Sequence, residues 1–170
     1  MKYFLTLSAI VIFFWSACVS PPSYPLEPEI DFLSFSKDTI NQLDTFSIRI
    51  SFTDGDGDLG FQEFNAEECD PCDSSCFEHP TVSLLLIDGR TNCLGSFNLP
   101  FVPEKGNSRS ISGEIYFVPS SVCCLPPSGL ACAPDPDYPL DSITYFVQLI
   151  DRAGNLSNKL ELPPVYVRCI

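Results

Sequence analysis

The sequence predicts an all-β protein, a single antiparallel β-sandwich with cysteine-rich loops. Three segments, 45–53, 110–118 and 142–150, alternate apolar and polar residues with the period of two that a half-buried strand requires. No segment has helical spacing over three turns, and the 16 prolines argue against long helices. The chain has 170 residues, which is enough for one domain of this class.

About seven segments have strand character, and turn signals separate them. In chain order they are A (30–35), B (45–53), C (82–88), C′ (93–101), E (110–118), F (142–150) and G (164–168). The run 82–87 is continuously apolar, as expected of a strand that is covered on both faces. This arrangement predicts an immunoglobulin-like domain over residues 29–170. Because strand directions alternate, the B–C and F–G connections should share one end, and the E–F loop should lie at the other.

Residues 1–17 have the features of a signal peptide. Lys2 provides the positive start, and the apolar run from Phe4 to Trp15 contains 12 residues. A helix of that length spans about 18 Å, too short for a bilayer core of about 30 Å. Small residues then precede Cys18, which resembles the bacterial lipobox. We expect Cys18 to be diacylated and to become the mature N-terminus; the alternative is an ordinary secretory signal that is cleaved nearby.

The mature chain is strongly acidic. The full sequence has 9 Lys and Arg against 22 Asp and Glu, a net charge of −13, and loss of Lys2 with the signal peptide makes it −14. Such a surface repels phosphate backbones, so nucleic acid is not an expected partner. It also disfavours anionic lipid head groups, so we expect membrane attachment only through the lipid anchor. Residues 18–28, rich in proline and serine, should form a semi-extended tether between the anchor and the domain.

A cluster of aspartates directly after strand B has the clearest chemistry. Asp54, Asp56 and Asp58 are separated by single glycines, so their oxygens can converge on one point. Calcium takes six to eight oxygen ligands. The F–G turn, predicted at the same end, offers Asp151 and, as a weaker candidate, Asn155. We therefore predict a calcium site here, although the loop is not an EF-hand; the alternative is a solvated acidic turn whose aspartates cap backbone groups.

The cysteines agree with export, because an even set in an oxidising compartment indicates a disulfide framework. Apart from Cys18, the disulfide candidates are Cys69, Cys72, Cys76, Cys93, Cys123, Cys124, Cys132 and Cys169. The predicted topology puts the first three at one end and the other five near the other end. Each end would then hold an odd number of cysteines, so they cannot all pair within their own end. Three explanations are open: the 61–80 insertion folds down along the sandwich, which we prefer, a strand is misassigned, or two cysteines stay free.

Two cysteine expectations are more specific. Cys123 and Cys124 should pair with separate partners, since adjacent cysteines bridge only with strain. Cys169, next to the C-terminus, should join strand G to the E–F loop.

The loop before strand C also contains the only histidine. Cys69, Cys72, Cys76 and His79 form a C-x2-C-x3-C-x2-H arrangement that could hold zinc. Oxidising export favours disulfides instead, and His79 is then a surface-loop residue. The sequence has no nucleophile–base signature, phosphate-binding loop or cofactor motif, so we do not expect an enzyme.

Three motifs along the chain carry a family resemblance. They are SFTDGDGDLG at 51–60, SGEI at 112–115 after a turn rich in proline and glycine, and DRAGNLSN at 151–158. Their order and spacing resemble a family of small envelope lipoproteins of the Bacteroidota type, over most of residues 30–168. The resemblance implies an immunoglobulin-like domain on a lipid anchor, and no particular activity. The cysteine-rich insertions at 66–80 and 119–137 depart from the family pattern.

These observations predict a non-catalytic binding or structural module. We expect an accessory lipoprotein of an envelope complex that engages a protein partner through disulfide-pinned loops, because rigid loops lose less entropy on binding. The alternative is a glycan-binding module of a nutrient-uptake system. It ranks lower because sugar platforms favour exposed Trp and Tyr, and the mature chain has no Trp and five Tyr. The expected location is the outer membrane, on its periplasmic side, since no acidic cluster follows Cys18 directly.

Overall fold

The computed structural model describes residues 22–62, 82–103, 110–120 and 122–169. Within these ranges the chain forms ten β-strands and no helix. The strands are β1 (Glu29–Phe35), β2 (Thr39–Asn41), β3 (Ile48–Asp54), β4 (Leu84–Asp88), β5 (Leu94–Phe97), β6 (Ile111–Phe117), β7 (Leu140–Ile143), β8 (Tyr145–Leu149), β9 (Leu160–Glu161) and β10 (Val165–Arg168). The predicted all-β class is confirmed. In the same ranges, no helix offers the length and apolar character that a membrane crossing requires.

One layer of the sandwich is a sheet of three strands, with β3 between β1 and β6 and antiparallel to both. Ile48 and Ile50 of β3 are fully buried and Phe52 packs against the same core, whereas Arg49 and Ser51 alternate with them on the other face and are half-buried. The predicted alternation along this strand is therefore confirmed. Glu29 pairs with Thr53, so the chain enters β1 beside the end of β3 that carries Asp54.

The second layer contains two sheets that continue one another. Their strand orders are β5-β4-β8-β9 and β2-β10-β7. Only Thr144 separates β7 from β8, and the amide of Leu162, between β9 and β10, donates to the carbonyl of Tyr145 at 2.9 Å. β5, β4 and β10 correspond to the predicted C′, C and G, and the predicted F is divided into β7 and β8. Together with the facing sheet of β1, β3 and β6, they form an immunoglobulin-like sandwich.

The structure corrects three details of the predicted sandwich. The described residues contain ten strands rather than about seven, because F is divided and β2 and β9 are additional. β2 pairs with β10 in parallel, whereas only antiparallel pairs were predicted. The chain leaves the first layer after Phe35 and crosses at 36–38 to the second, where it joins the free side of β10. β5 also ends at Phe97, short of the predicted 101, because Pro100 has no amide hydrogen to donate to a ladder.

The core lies between the two layers. Ile50 of the first layer and Leu84 and Val147 of the second are all fully buried, and each such burial contributes about 1.5–3 kcal/mol. All four residues of the run 84–87 in β4 are buried. This confirms a strand covered on both faces, and Leu85 packs in a second cluster with Leu94 on the outer side.

Candidate metal site

The loop after β3 and the turn after β8 meet at one end of the sandwich, as the alternation of strand directions predicts. The amide of Arg152 donates to the carbonyl oxygen of Asp58 at 3.1 Å. The amide of Ala153 donates to Oδ2 of the same residue at 3.0 Å. We call this region, residues 54–60 and 150–155, the aspartate end.

Three carboxylates converge at the aspartate end. Asp54, Asp56 and Asp58 each place one oxygen within 4.8 Å of the other two. Asp54 is the last residue of β3, and Gly57 has a φ of 70°, a left-handed conformation that turns the chain back toward that strand. The structure thus brings together the three residues that the sequence predicts as a group, and such a group could hold a metal ion.

One oxygen of each carboxylate, Oδ1, is buried and accepts no hydrogen bond from the described residues. Asp54 is 0% exposed, and its Oδ2 accepts the amide of Asp58 at 3.1 Å. A buried polar atom without a partner costs about 1–3 kcal/mol, and more if it is charged. A hard cation that takes oxygen ligands, such as calcium, would satisfy all three Oδ1 atoms together.

The electrostatics of the cluster favour a cation. Burial, with the nearby charge of Asp56, raises the pKa of Asp54 to about 6. Burial and the charges of Asp151 and Asp56 also raise the pKa of Asp58. At neutral pH the carboxylates therefore repel one another in a partly desolvated site, and a divalent cation would remove that repulsion.

Asp151, the fourth predicted ligand, has a different arrangement. Its side chain is buried, and its two oxygens accept the backbone amide of Asn155 at 2.7 Å and the side-chain Nδ2 of Asn155 at 2.8 Å. Asp151 is not part of the group of three carboxylates. It closes its own turn and acts on Asp58 through its charge. Metal ligation by Asp151 stays a prediction.

Arg152 also belongs to this site, although no sequence pattern indicates it. Its Nη1 donates to the carbonyl oxygens of Leu59 at 2.9 Å and Gly60 at 3.0 Å, and its guanidinium lies 4.7 Å from the ring centroid of Phe101. Its charge lowers the pKa of Asp58 against the larger effects above. The arginine therefore anchors the end of the aspartate loop through backbone carbonyl groups. These acceptors are distant in the chain, so the motif DRAGN that contains Arg152 does not indicate them.

The opposite end of the sandwich is held by disulfides. Cys123 is bonded to Cys132, and Cys124 to Cys169 across a sequence separation of 45. Cys93 is disulfide-bonded as well. Adjacent cysteines thus have separate partners, and Cys169 joins β10 to the loop after β6, as expected from the sequence. We call this region, residues 88–94, 118–125 and 138–141 with Cys169, the disulfide end.

A partly buried ion-pair network supports the disulfide end. Arg90 donates to Oδ2 of Asp88 at 2.7 Å, to Oδ2 of Asp141 at 2.6 Å and to the carbonyl of Cys123 at 3.0 Å. Asp88, Arg90 and Cys123 line a cavity of about 280 Å³, together with Tyr145. Arg90 thus links the end of β4 at Asp88 to the loop that carries Cys123 and to Asp141 of β7.

Several predicted site residues lie outside the described residues. They are the lipidation site Cys18 and the cysteine–histidine group Cys69, Cys72, Cys76 and His79.

Comparison with protein-family models, with curated protein sequences and with solved structures finds no match to this chain.

Proposed function

We propose that this chain is a non-catalytic binding module whose aspartate end holds a calcium ion. The observation that carries the proposal is the group of three buried Oδ1 atoms, on Asp54, Asp56 and Asp58, without hydrogen-bond donors among the described residues. Carboxylates on a turn tolerate the irregular geometry and longer bonds of calcium, whereas magnesium demands a near-ideal octahedron. A bound ion would link the loop after β3 to the turn after β8 through Asp58.

We propose further that the module is an exported lipoprotein of the Bacteroidota envelope type, anchored through Cys18 to the outer membrane on its periplasmic side. The signal-like segment 1–17 supports export, and disulfides such as Cys124–Cys169 suit an oxidising compartment. Modules in such locations bind calcium with dissociation constants of about 10⁻⁴–10⁻³ M. Calcium affinity in that range is what we expect here.

Calorimetric titration of the purified full chain in detergent with CaCl₂ tests the calcium site. At a calcium concentration about 100 times Kd, binding stabilises the folded state by about 2.7 kcal/mol, which thermal unfolding detects. The double variant Asp54→Asn, Asp56→Asn should lose both the binding heat and the stabilisation. Asp31→Asn, an exposed carboxylate on β1, is the matched control and should keep both. Absence of binding heat in the unsubstituted chain over millimolar calcium would overturn the proposal.

The proposed biological role is an accessory subunit that engages a protein partner through the loop between β6 and β7. Residues 122–139 contain no strand, yet two disulfides hold them, and Leu130 within them is 66% exposed. A constrained loop loses little entropy on binding, and an exposed Leu can anchor a contact. No observation on the described residues specifically favours the glycan-binding alternative.

A pull-down of the tagged full chain from its native envelope in mild detergent tests this role. We expect a stoichiometric membrane or secretion protein, and its loss with Leu130→Asp. Asp135→Asn in the same loop serves as a control that leaves the exposed apolar side chain in place. Recovery of the lipoprotein alone would contradict the partner proposal while leaving the calcium site unaffected.

A further inference from the structure

The tether reaches the domain at the aspartate end. Glu29, the first residue of β1, pairs with Thr53, directly before Asp54. The residues that precede Glu29 therefore lie next to the carboxylate loop. Pro28 is buried and Tyr24 is partly buried, so this part of the tether contacts the domain instead of extending freely into solvent.

Gly55, between two of the carboxylate residues, lies against the tether backbone. A Cβ at this position would be 2.5 Å from the carbonyl oxygen of Tyr24 and closer still to that of Pro25. Gly55 does not have a positive φ, so contact with the tether, and not backbone conformation, requires a glycine here. On its carbonyl side, Gly55 accepts a hydrogen bond from Ser110 Oγ at 3.2 Å.

We propose that calcium binding at the aspartate end holds the tether against the domain. The inference rests on the calcium site proposed above, which depends on the fully buried Asp54 and its unpartnered Oδ1. Gly55 is covalently joined to Asp54 and Asp56, so any movement that separates these carboxylates also moves the surface on which Tyr24 and Pro25 rest. Without the ion, repulsion among the carboxylates favours such movement; with the ion, the loop keeps the shape that fits the tether.

The consequence is a calcium-dependent orientation of the domain. The tether connects β1 to the N-terminal region that carries Cys18, so its attachment to the loop sets how the sandwich is presented to the membrane. A released tether gives the domain a flexible connection, whereas a held tether limits its orientation.

Limited proteolysis of the full chain in detergent measures the attachment. Chymotrypsin cleaves after Leu26, which is 61% exposed, so the cleavage rate depends on detachment of the backbone more than on access to the side chain. Mass spectrometry identifies this cut among the others. We expect saturating CaCl₂, compared with chelator, to slow cleavage after Leu26 by about tenfold or more.

Two glycine variants isolate the tether contact. Gly55→Ala keeps all three carboxylates but introduces a methyl group where the tether lies, so cleavage after Leu26 should be fast with and without calcium. Gly95→Ala is the matched control, because the nearest atom to its Cβ would be 3.6 Å away. It should behave as the unsubstituted chain does.

Calorimetry on the same samples separates the two proposals. If calcium binds and cleavage after Leu26 is equally fast in calcium and chelator, the tether inference is overturned and the calcium site stands. If calcium does not bind, both are overturned. Circular dichroism checks that Gly55→Ala is folded, and the comparison of calcium with chelator in the unsubstituted chain needs no variant.

Discussion

Each end of the sandwich contains a buried carboxylate, and the two carboxylates differ in the hydrogen bonds that they accept. At the disulfide end, Asp141 accepts four hydrogen bonds: from Tyr138 and Ser142 at Oδ1, and from Leu125 and Arg90 at Oδ2. At the aspartate end, Asp54 has one oxygen with no donor among the described residues. One end satisfies its charge within the chain, and the other has the arrangement of a site for an external cation.

The pKa values follow the same division. Burial alone would raise the pKa of Asp141, but hydrogen bonds from Leu125, Tyr138, Ser142 and Arg90 outweigh it and hold the pKa below its usual range. The pKa of Asp54 is raised to about 6 because burial acts there together with neighbouring negative charge. Burial therefore does not decide the direction of the pKa shift by itself; the hydrogen-bond donors and the neighbouring charges do.

The largest expected effect comes from removing the covalent link at the disulfide end. Replacing Cys124 and Cys169 together by alanine should cost about 4 kcal/mol of unfolding free energy, since the bond closes a loop with a sequence separation of 45. Removal of Cys123–Cys132, with a separation of 9, should cost about 1.4 kcal/mol less. Urea unfolding measures both. Equal losses would show that loop closure is not the source of the stabilisation.

The next largest effect comes from neutralising Asp141, the buried carboxylate of the disulfide end. Asp141→Asn should destabilise the fold by about 3 kcal/mol, because it leaves Arg90 without one of its charged partners and places an amide donor opposite the Leu125 amide. Thermal unfolding should show a melting temperature that is lower by about 2–4 °C for each kcal/mol of destabilisation in a chain of this size. Calcium should stabilise this variant as much as it does the unsubstituted protein, since the substitution lies at the other end.

The corresponding substitution at the aspartate end should change the unfolding free energy in the opposite direction. In chelator, Asp54→Asn should stabilise the fold by about 2 kcal/mol, because it removes a buried charge that neighbouring carboxylates repel. In calcium the unsubstituted protein should be the more stable of the two, since the variant loses a calcium ligand. A variant that is less stable than the unsubstituted protein in chelator would mean that Asp54 is satisfied without an ion.

The smallest of the four effects is a pH dependence in chelator. Because the pKa of Asp54 is about 6 in the folded state and 3.8 is its ordinary value, the folded state binds the proton more strongly, and this group adds stability as pH falls from 7. The gain between pH 7 and pH 5 should be about 1 kcal/mol and should be absent in Asp54→Asn.

Asp141 has the opposite dependence. Its lowered pKa contributes stability that is present above the ordinary value near 3.8 and is lost as pH falls below it. Urea unfolding from pH 7 to pH 3 in chelator should therefore pass through a maximum. A steady decline from pH 7 downward in chelator would contradict the assignment at the aspartate end.

Local pattern was sufficient to predict much of the fold. The alternation around Ile48 and Ile50 predicts β3 and its buried face, because the side-chain period of a strand is a property of the backbone. The predicted F strand, 142–150, is correct in position but is divided at Thr144, where the chain changes partners from β10 to β4 and β9. Partner choice is not a local property, so period alone does not reveal the division.

The candidate site was predictable to the same extent. The spacing of Asp54, Asp56 and Asp58 indicates convergence because the three residues share one turn, and alternating strand directions place Asp151 nearby. Hydrogen bonding then decides what each carboxylate does. Asn155 occupies both oxygens of Asp151, whereas the three Oδ1 atoms receive no donor from the described residues.

By itself, the sequence determined the strand pattern, the acidic turn and the cysteine content. The first two are properties of adjacent residues, and the third is composition. Only the tertiary structure decided which cysteines pair, that Arg152 anchors the aspartate loop, and that the tether lies on Gly55. Except for Cys123–Cys132, with a separation of 9, each of those contacts joins residues that are far apart in the chain. Their formation depends on how the layers assemble, which no local pattern of side chains encodes.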